Sequence, residues 1–447
     1  MLVANIFNQP NPRGTTNDPM FSITRVPTTC KSFLTKIRTF LGKDSVSSRY
    51  VCELIVAIAF LFDTRSMRNV SGLFGDRRSR QSYDKFFNES DCDCAGLLRA
   101  MAFFTLRKLG WTPRERLYFV VDDTQIDKRG KKMEGVCRTF LHSEKRYADA
   151  HTVVTGCIVY RGVAVPYATS LFLSNKGYPE LTAKYNLGPR KKLTELAAEM
   201  IESLEVPEQT KVVVLFDKYF LAARVLEACK NRGFSFVGAV KSNRIFKPNG
   251  STYKQKINEY IPGLRRRGGR KNKIHGSSKV HYFAKQKGWL SKVGAIDLVC
   301  SRRENERTIL TLATNDSTLS AKEVVEAYRN RWAIEVLFKD AKQHLGLGDY
   351  QLLKYQAVEK YLQLVMCAHC LLTHQAKTWL DEKEKNNENN RECFSIYRAK
   401  TRLRETIAGE SIRAICESKR YKNCLGTTVR KIIATIVGKE YTARNSV

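Results

Sequence analysis

The first hundred residues carry apolar positions at helical spacing. This period is clear in CKSFLTKIRTFLG, YVCELIVAIAFLF, SYDKFFNES and CAGLLRAMAFFTLRKLG, and nothing there alternates like a strand. We therefore predict an all-helical domain over residues 29–112, after a loosely ordered tail over 1–28. A basic turn inside it, with Arg68, Arg77, Arg78 and Arg80, predicts that this domain binds DNA and reads DNA ends; a plain helical cap is the alternative.

The pattern changes to strands from residue 115 onward. RLYFVVDDT, HTVVTGCIVYRG, VAVPYATSLFL, TKVVVLFDKYF and FSFVGAVK predict strands, and two helical segments alternate with the later ones. This order predicts an α/β fold with a mixed sheet and flanking helices over 113–240, resumed over 321–380. A basic, strand-rich insertion is expected over 241–320, and a linker with a basic helical C-terminal region over 381–447.

Acidic residues follow two of the apolar strand segments. Asp122 and Asp123 end one, with Asp127 close behind, and Asp217 ends another. Strands disfavour Asp, and sites in open α/β sheets gather at the carboxyl ends of strands. A lone Asp at such a position is also an ordinary helix cap or turn residue. Acids converging from two strands and a later helix would instead repel, and a pair of Mg²⁺ ions would relieve that repulsion.

The segment YRNRWAIEVLFKDAKQHLGLGDY predicts one helix with an unusual polar stripe. At about 100° per residue, Tyr328, Arg331, Glu335 and Lys342 share a face roughly 60° wide. A carboxylate among two cations and a phenol suits a phosphate-rich ligand or a metal ion. A salt-bridged surface face, with Glu335 four residues after Arg331, is the alternative.

The net charge of the chain indicates which kind of molecule it binds. The 447 residues include 77 Lys plus Arg against 44 Asp plus Glu, a net charge of +33, and the basic residues are spread along the chain. Such a surface is typical of a protein that lies along a polyanion. The longest apolar run is too short to span a bilayer, and the N-terminus has Pro and Asn where a signal peptide needs apolar residues. We therefore expect a cytoplasmic protein.

Taken together, these motifs resemble prokaryotic insertion-sequence transposases with a DDE triad, in the subgroup with a Y-R-E-K signature. The signature matches Tyr328, Arg331, Glu335 and Lys342, spaced Tyr-x2-Arg-x3-Glu-x6-Lys. The resemblance implies an RNase H-like domain with a β-rich insertion, a likeness that covers about residues 60–378. It also implies two Mg²⁺ ions, which Mn²⁺ can replace, double-stranded DNA as transposon ends and target, a homodimer on DNA, and a nucleoid location.

Carried over by position, the catalytic and metal-binding acids would be Asp122, Asp217 and Glu335. The family's Asp-x-Thr pattern selects Asp122, with Thr124 as its Thr, and Asp123 remains the alternative. Strand alternation places these two neighbours on opposite faces, so only one should face the metal ions.

Further residues are expected to contact DNA. Trp289 would stack on an unpaired base or, alternatively, anchor the core of the insertion. A basic loop would follow phosphates unless it is merely solvated. The full predicted DNA-binding set is Tyr328, Arg331, Lys342, Lys339, Trp289, Arg265, Arg266, Arg267, Arg270, Lys271, Lys128 and Arg129.

Three rival functions remain open at this point. An RNase H-like nuclease without strand transfer would need the same acids, and a DNA-binding protein that has lost catalysis would need only the basic surface. A zinc-stabilised nucleic-acid-binding protein would use cysteines such as Cys92 and Cys94, or Cys367 and Cys370, although buried small side chains explain the second pair better.

Overall fold

The structure is a computed structural model of the chain. It describes residues 28–62, 65–74, 78–130, 132–141, 144–266, 270–274, 280–304, 306–385 and 394–417. The chain divides into two compact units. The helical unit comprises Met1–Gly110, Asp127–Glu134 and Lys339–Val447, and the sheet unit comprises Trp111–Ile126 and Gly135–Phe338.

The elements are numbered in chain order. The first part holds α1 (Lys31–Leu41), α2 (Val46–Phe60), α3 (Met67–Leu73), α4 (Arg80–Glu89), α5 (Cys94–Lys108), β1 (Leu117–Asp127), β2 (Cys137–Leu141), β3 (Arg146–Tyr160), β4 (Val163–Phe172), α6 (Tyr178–Tyr185), α7 (Leu193–Glu202), β5 (Val212–Phe216), α8 (Ala223–Asn231) and β6 (Ser235–Ala239). The second holds β7 (Ile245–Pro248), β8 (Gln255–Lys256), α9 (Ile257–Arg266), β9 (Arg270–Lys273), β10 (Val280–Leu290), β11 (Gly294–Arg303), β12 (Leu310–Thr314), α10 (Ala321–Arg329), α11 (Trp332–His344), α12 (Tyr355–Lys385) and α13 (Ile396–Glu417).

The helical unit is built around the long helix α12. Its central stretch, residues 361–372, carries side chains buried on every face, and it packs against α2 and α5. A helix that is apolar all round must lie in the interior, so this run forms the core of the unit. Serine caps begin three of the shorter helices, where Ser45, Ser66 and Ser79 each accept a backbone N–H three residues on.

The sheet unit contains one mixed sheet. Its strand order is β2-β3-β1-β5-β6-β12-β11-β10-β7-β8, with β4 paired to β3 and β9 paired to β10. β5 runs parallel to both β1 and β6, while β3 and β4 form a hairpin whose turn residues Arg161 and Gly162 both have positive φ. The order β4-β3-β1-β5-β6 is that of an RNase H-like fold, as predicted. β12 pairs with β6, so the inserted strands extend the same sheet.

Two local predictions were wrong. The stripe segment is two helices, because α10 ends at Arg329 and α11 begins at Trp332. β1 does not end at its acids but continues to Asp127. The insertion is strand-rich, as predicted, and also contains a helix, α9, in which Ile257 and Tyr260 are buried.

No helix in the described parts of the chain is both long enough and apolar enough to cross a bilayer.

Candidate active site

Two of the predicted acids are neighbours because their strands are parallel and in register. β1 and β5 pair from Leu117 with Val212 up to Val121 with Phe216. The residues that follow this last pair are Asp122 and Asp217. β5 stops at Phe216 while β1 continues, so Asp122 lies beside the point where its partner strand ends.

Asp217 fixes the turn that leaves the sheet. Its Oδ1 atom accepts the backbone N–H groups of Tyr219 at 2.7 Å and Phe220 at 3.2 Å. A carboxylate that binds the amides two and three residues on stabilises a tight turn. Its second oxygen stays available for another interaction. This turn also leaves Tyr219 half-exposed beside the acids, a feature that the sequence pattern did not predict.

The third predicted acid, Glu335, lies just after the break between α10 and α11. Arg331 donates its backbone N–H to the carbonyl of Tyr328 at 3.0 Å, and Ile334 donates to Arg331 at 3.2 Å. These three-residue hydrogen bonds make a tight 3₁₀-like turn in the helical path. Arg331 therefore lies at a corner, with Tyr328 on the helix before it and Glu335 in the first turn of the helix after it.

Arg331 joins two of the acids. Its Nη1 atom donates to Oδ2 of Asp122 at 3.0 Å, and its Nη2 atom donates to Oε1 of Glu335. The guanidinium also lies 5.8 Å from the centre of the Tyr328 ring. Only 17% of the Arg331 side chain and 18% of that of Asp122 are exposed. The i,i+4 salt bridge of the alternative is therefore present, but Arg331 is mostly buried and has a second partner, Asp122, from another element.

The electrostatics show how crowded the acids are. Burial raises the pKa of Asp122 to about 7, and repulsion from Asp217 and Asp123 adds to that shift. The N–H of Asp123, which binds Oδ1 of Asp122 at 2.9 Å, and the charge of Arg331 act in the opposite direction. A carboxyl group with such a pKa is poised to exchange its proton for a cation at neutral pH.

The pKa values of Tyr328 and Tyr219 are shifted by burial and also by these acids. Burial raises the pKa of Tyr328 to about 12, with Arg331 lowering it and Asp217 and Asp122 raising it further. Burial also raises the pKa of Tyr219, and Asp123 and Asp217 both contribute. Both phenols therefore stay protonated at neutral pH and can donate a hydrogen bond to an anion.

The donor set fits a hard divalent cation. Asp122, Asp217 and Glu335 offer carboxylate oxygens, which Mg²⁺ and Mn²⁺ prefer. The pKa of Asp122 is raised mainly by burial and further by repulsion from Asp217 and Asp123, and a bound cation would offset both effects. Within the described residues, no group of three or more His, Cys, Asp or Glu side chains is drawn together closely enough to hold one ion. This agrees with the guanidinium of Arg331 lying between Asp122 and Glu335 and supplying positive charge there.

The predicted DNA contacts lie at several places on the chain. Trp289 is 46% exposed on β10, opposite Lys247 of β7 and Ala295 of β11, so it is not a core anchor of the insertion. Lys339 and Lys342 are exposed on the last turns of α11, which belong to the helical unit, and Arg129 is exposed after β1.

The predicted basic loop is not a single loop. Arg265 and Arg266 end helix α9, while Arg270 and Lys271 begin strand β9, and Arg267 lies outside the described residues. Lys271 is exposed, with its ammonium 5.2 Å from the centre of the Tyr282 ring and 3.7 Å from a Glu304 oxygen. The basic character of the segment is therefore divided between a helix end and a strand.

Lys128 does not suit the surface role predicted for it. It is 6% exposed, and its Nζ atom donates to the carbonyls of Gly348 at 2.7 Å and Tyr350 at 3.2 Å. Burial lowers its pKa to about 8, although Asp349 and Asp127 favour the charged form. A buried ammonium held by backbone carbonyls supports the segment after α11 and is not available to phosphates.

A family model matches the part of the chain that carries two of these acids. The model of the DDE superfamily endonucleases matches residues 47–293, which is more than half of the chain. The chain therefore belongs to the DDE superfamily endonuclease family, and its class is that of enzymes acting on DNA. The match includes Asp122 and Asp217 and ends before Glu335. Comparison with curated proteins gives no match.

Proposed function

We propose that this chain is a DNA transposase of the insertion-sequence type. It would cleave at the ends of its element and transfer the freed 3′-hydroxyl to target DNA by phosphoryl transfer. The observation that carries the proposal is the Arg331 bridge from Asp122 to Glu335, made beside Asp217. That bridge brings an acid outside the family match to the two acids inside it.

The proposed cofactor is a pair of Mg²⁺ ions, which Mn²⁺ can replace, held by Asp122, Asp217 and Glu335. Such ions activate the attacking water or hydroxyl and neutralise charge on the phosphate during in-line displacement. The turn at Asp217 and the register of β1 with β5 hold two carboxylates in place before any ligand arrives. Asp122 is the better choice over Asp123, because Arg331 links Asp122 to the third acid.

The residues around the acids suit a DNA strand. Once its carboxylate partners bind cations, Arg331 is free to turn its planar donors to a phosphate of the cleaved strand. The protonated phenol of Tyr328 offers a further donor, and exposed Trp289 offers a face on which an unpaired base stacks. Lys339, Lys342, Lys271 and Arg129 add charge for backbone phosphates. Two DNA ends must be held together for joining, so we propose a homodimer on DNA.

The same acids would serve a nuclease that does not join strands. The proposal of strand transfer is supported by Arg331, Tyr328 and Trp289, since simple hydrolysis needs fewer contacts to a particular DNA end. An inactive DNA-binding protein is disfavoured because all three acids are present and two of them share one arginine.

The test uses DNA that carries both ends of the element encoding this chain. The parent protein, Glu335→Gln and the control Glu326→Gln are incubated with that DNA in Mg²⁺ and in EDTA. Glu326 is the matched control because it is a glutamate of α10 paired with Lys322 at 3.9 Å. We expect metal-dependent cuts and joined products from the parent and the control, and neither from Glu335→Gln.

The other outcomes separate the rivals. Cuts without joined products would indicate a nuclease. Binding without cuts in any divalent metal would reject catalysis, and full activity of Glu335→Gln would remove Glu335 from the site. Asp217→Ala should keep its affinity for the ends while losing cleavage.

A further inference from the structure

A small cavity in the helical unit is lined by three arginines. Its volume is about 230 Å³, and the polar residues of its wall are Arg65, Ser66, Arg68, Arg80, Asp84, Tyr350 and Gln351. They belong to the start of α3, the start of α4 and the segment after α11. The sequence pattern had placed Arg68 and Arg80 in a basic turn, but it gave no reason to connect them with residues near 350.

Arg65 is the buried member of this group. It is 5% exposed and donates to Oδ2 of Asp349 at 2.9 Å, to the carbonyl of Leu61 at 2.8 Å and to that of His344 at 2.5 Å. Its Nε–H is also buried, yet it has no hydrogen-bond partner in the described structure. A buried unpaired donor on a charged group is costly, so an acceptor at this position is expected.

The other two arginines keep charge available at the cavity. Arg68 is exposed and has no ion-pair or hydrogen-bond partner among the residues described. Among the described residues Arg80 pairs only with Asp84, at 3.4 Å, and 70% of its side chain is exposed. Exposed pairs of this kind contribute little and are easily replaced by a stronger anion. Counting Asp84 against three arginines leaves the wall with a net positive charge.

We propose that this cavity binds a phosphate group of the DNA backbone. Arg65 would donate its Nε–H from the buried wall, and Arg68 and Arg80 would close on the outer oxygens. Guanidinium groups suit tetrahedral oxyanions because their planar donors bind two oxygens at once. The proposal rests on the proposed function for its choice of DNA, since free inorganic phosphate offers the same oxygens. By contrast, Arg78 of the same predicted turn is bound to Glu53 at 2.9 Å and is not part of the site.

The test measures DNA binding in EDTA, so that cleavage plays no part. Affinity of the full chain for duplex DNA is followed against salt for the parent, Arg68→Ala, Arg80→Ala and Arg65→Lys. The last variant keeps the charge toward Asp349 but has no Nε–H. Lys85→Ala is the control, because Lys85 lies on α4 with an i,i+4 partner, Glu89, and does not line the cavity.

One lost phosphate contact should lower the slope of log K against log [salt] by about 0.9. We expect that change in Arg68→Ala and Arg80→Ala, a weaker affinity in Arg65→Lys, and the parent slope in Lys85→Ala. The loss should be similar for any DNA sequence, because phosphates carry no sequence information.

A second arm identifies the source of the phosphate. Inorganic phosphate is added without DNA, and thermal unfolding of the parent is compared with that of Arg65→Lys. Stabilisation of the parent alone, with unchanged DNA slopes, would assign the cavity to free phosphate and overturn the DNA assignment. Unchanged slopes together with no effect of phosphate would overturn the site altogether. Neither result depends on cleavage, which the Glu335→Gln experiment tests separately.

Discussion

Replacing Arg331 by alanine should make the acids bind metal more tightly while abolishing cleavage. In the structure Arg331 is bound to Asp122 at 3.0 Å and to Glu335, so a cation must displace it from both. A hydrogen bond to a charged group contributes about 1.5–3 kcal/mol, and the bond to the more exposed Glu335 belongs at or below the low end of that range. Releasing the bond to Asp122 alone, about 1.5–3 kcal/mol, corresponds to roughly tenfold to 150-fold higher affinity.

Calorimetric titration with Mn²⁺ and Mg²⁺ in the absence of DNA measures this directly. Arg329→Ala is the matched control, since Arg329 is exposed at the end of α10, two residues away. Its metal affinity should equal that of the parent. Equal or weaker metal binding by Arg331→Ala would show that the guanidinium does not compete with cations, and the bridge would then have only a structural role.

Three further predictions concern the framework of the site and its pH dependence. Gly238→Ala should destabilise the fold by about 1–3 kcal/mol and reduce cleavage, because a Cβ there would lie 2.3 Å from the ring of Phe216, the residue before Asp217. Burial lowers the pKa of Lys400 from 10.5 to about 6. Between these two pH values the unfolded chain binds more protons than the folded one, so the free energy of unfolding should rise with pH, by up to about 1.4 kcal/mol per pH unit. Lys400→Met should remove this pH dependence in denaturant titrations. Trp289→Ala should weaken binding to DNA with an unpaired base by about 1–3 kcal/mol and change the free energy of unfolding by about 1 kcal/mol or less, as titration and melting can show.

Each of these three variants has a control variant elsewhere in the chain. Gly188→Ala should change the free energy of unfolding by no more than about 1 kcal/mol, because a Cβ there meets nothing within 4 Å. Lys354→Met removes a lysine at an exposed position and is the control for Lys400→Met. Leu290→Ala, next to Trp289 but fully buried, should cost about 2–5 kcal/mol of stability. A profile of Lys400→Met that parallels the parent, or intact stability in Gly238→Ala, would contradict the packing described.

The acids of the sheet could be predicted because their signal is local. Five apolar residues before Asp217 form a wholly buried strand, and an Asp directly after such a strand has few structural reasons to be there. The segments that form β3 and β4 were also predicted as strands, and Gly162 between them lies in the turn of their hairpin. What could not be predicted was the register that places Asp122 beside Asp217, because it depends on pairing between residues nearly a hundred positions apart.

The break at Arg331 could not be predicted for a different reason. Asn330 keeps right-handed helical angles, φ −63° and ψ −18°, and no Gly or Pro marks the corner. The helical spacing of apolar residues therefore continues through the corner. Only the backbone hydrogen bonds differ there, because they join residues three apart instead of four apart. The prediction that Lys128 contacts DNA was wrong for a similar reason. A lysine after a strand carries no sequence signal that it will be buried against the backbone carbonyls of residues 348 and 350.

The corner at Arg331 also explains why the third acid needs structure to be assigned. The family match ends at residue 293, so the matched region contains Asp122 and Asp217 but not Glu335. The four-residue spacing alone predicts that Glu335 pairs with Arg331, and on a straight helix such a pair would lie at the surface. Only the second bond of Arg331, to Asp122, brings the two together. Because one arginine holds an acid from the sheet and an acid from α11, any change that moves either carboxylate must alter the other, so metal affinity and the position of α11 should vary together among variants at this corner.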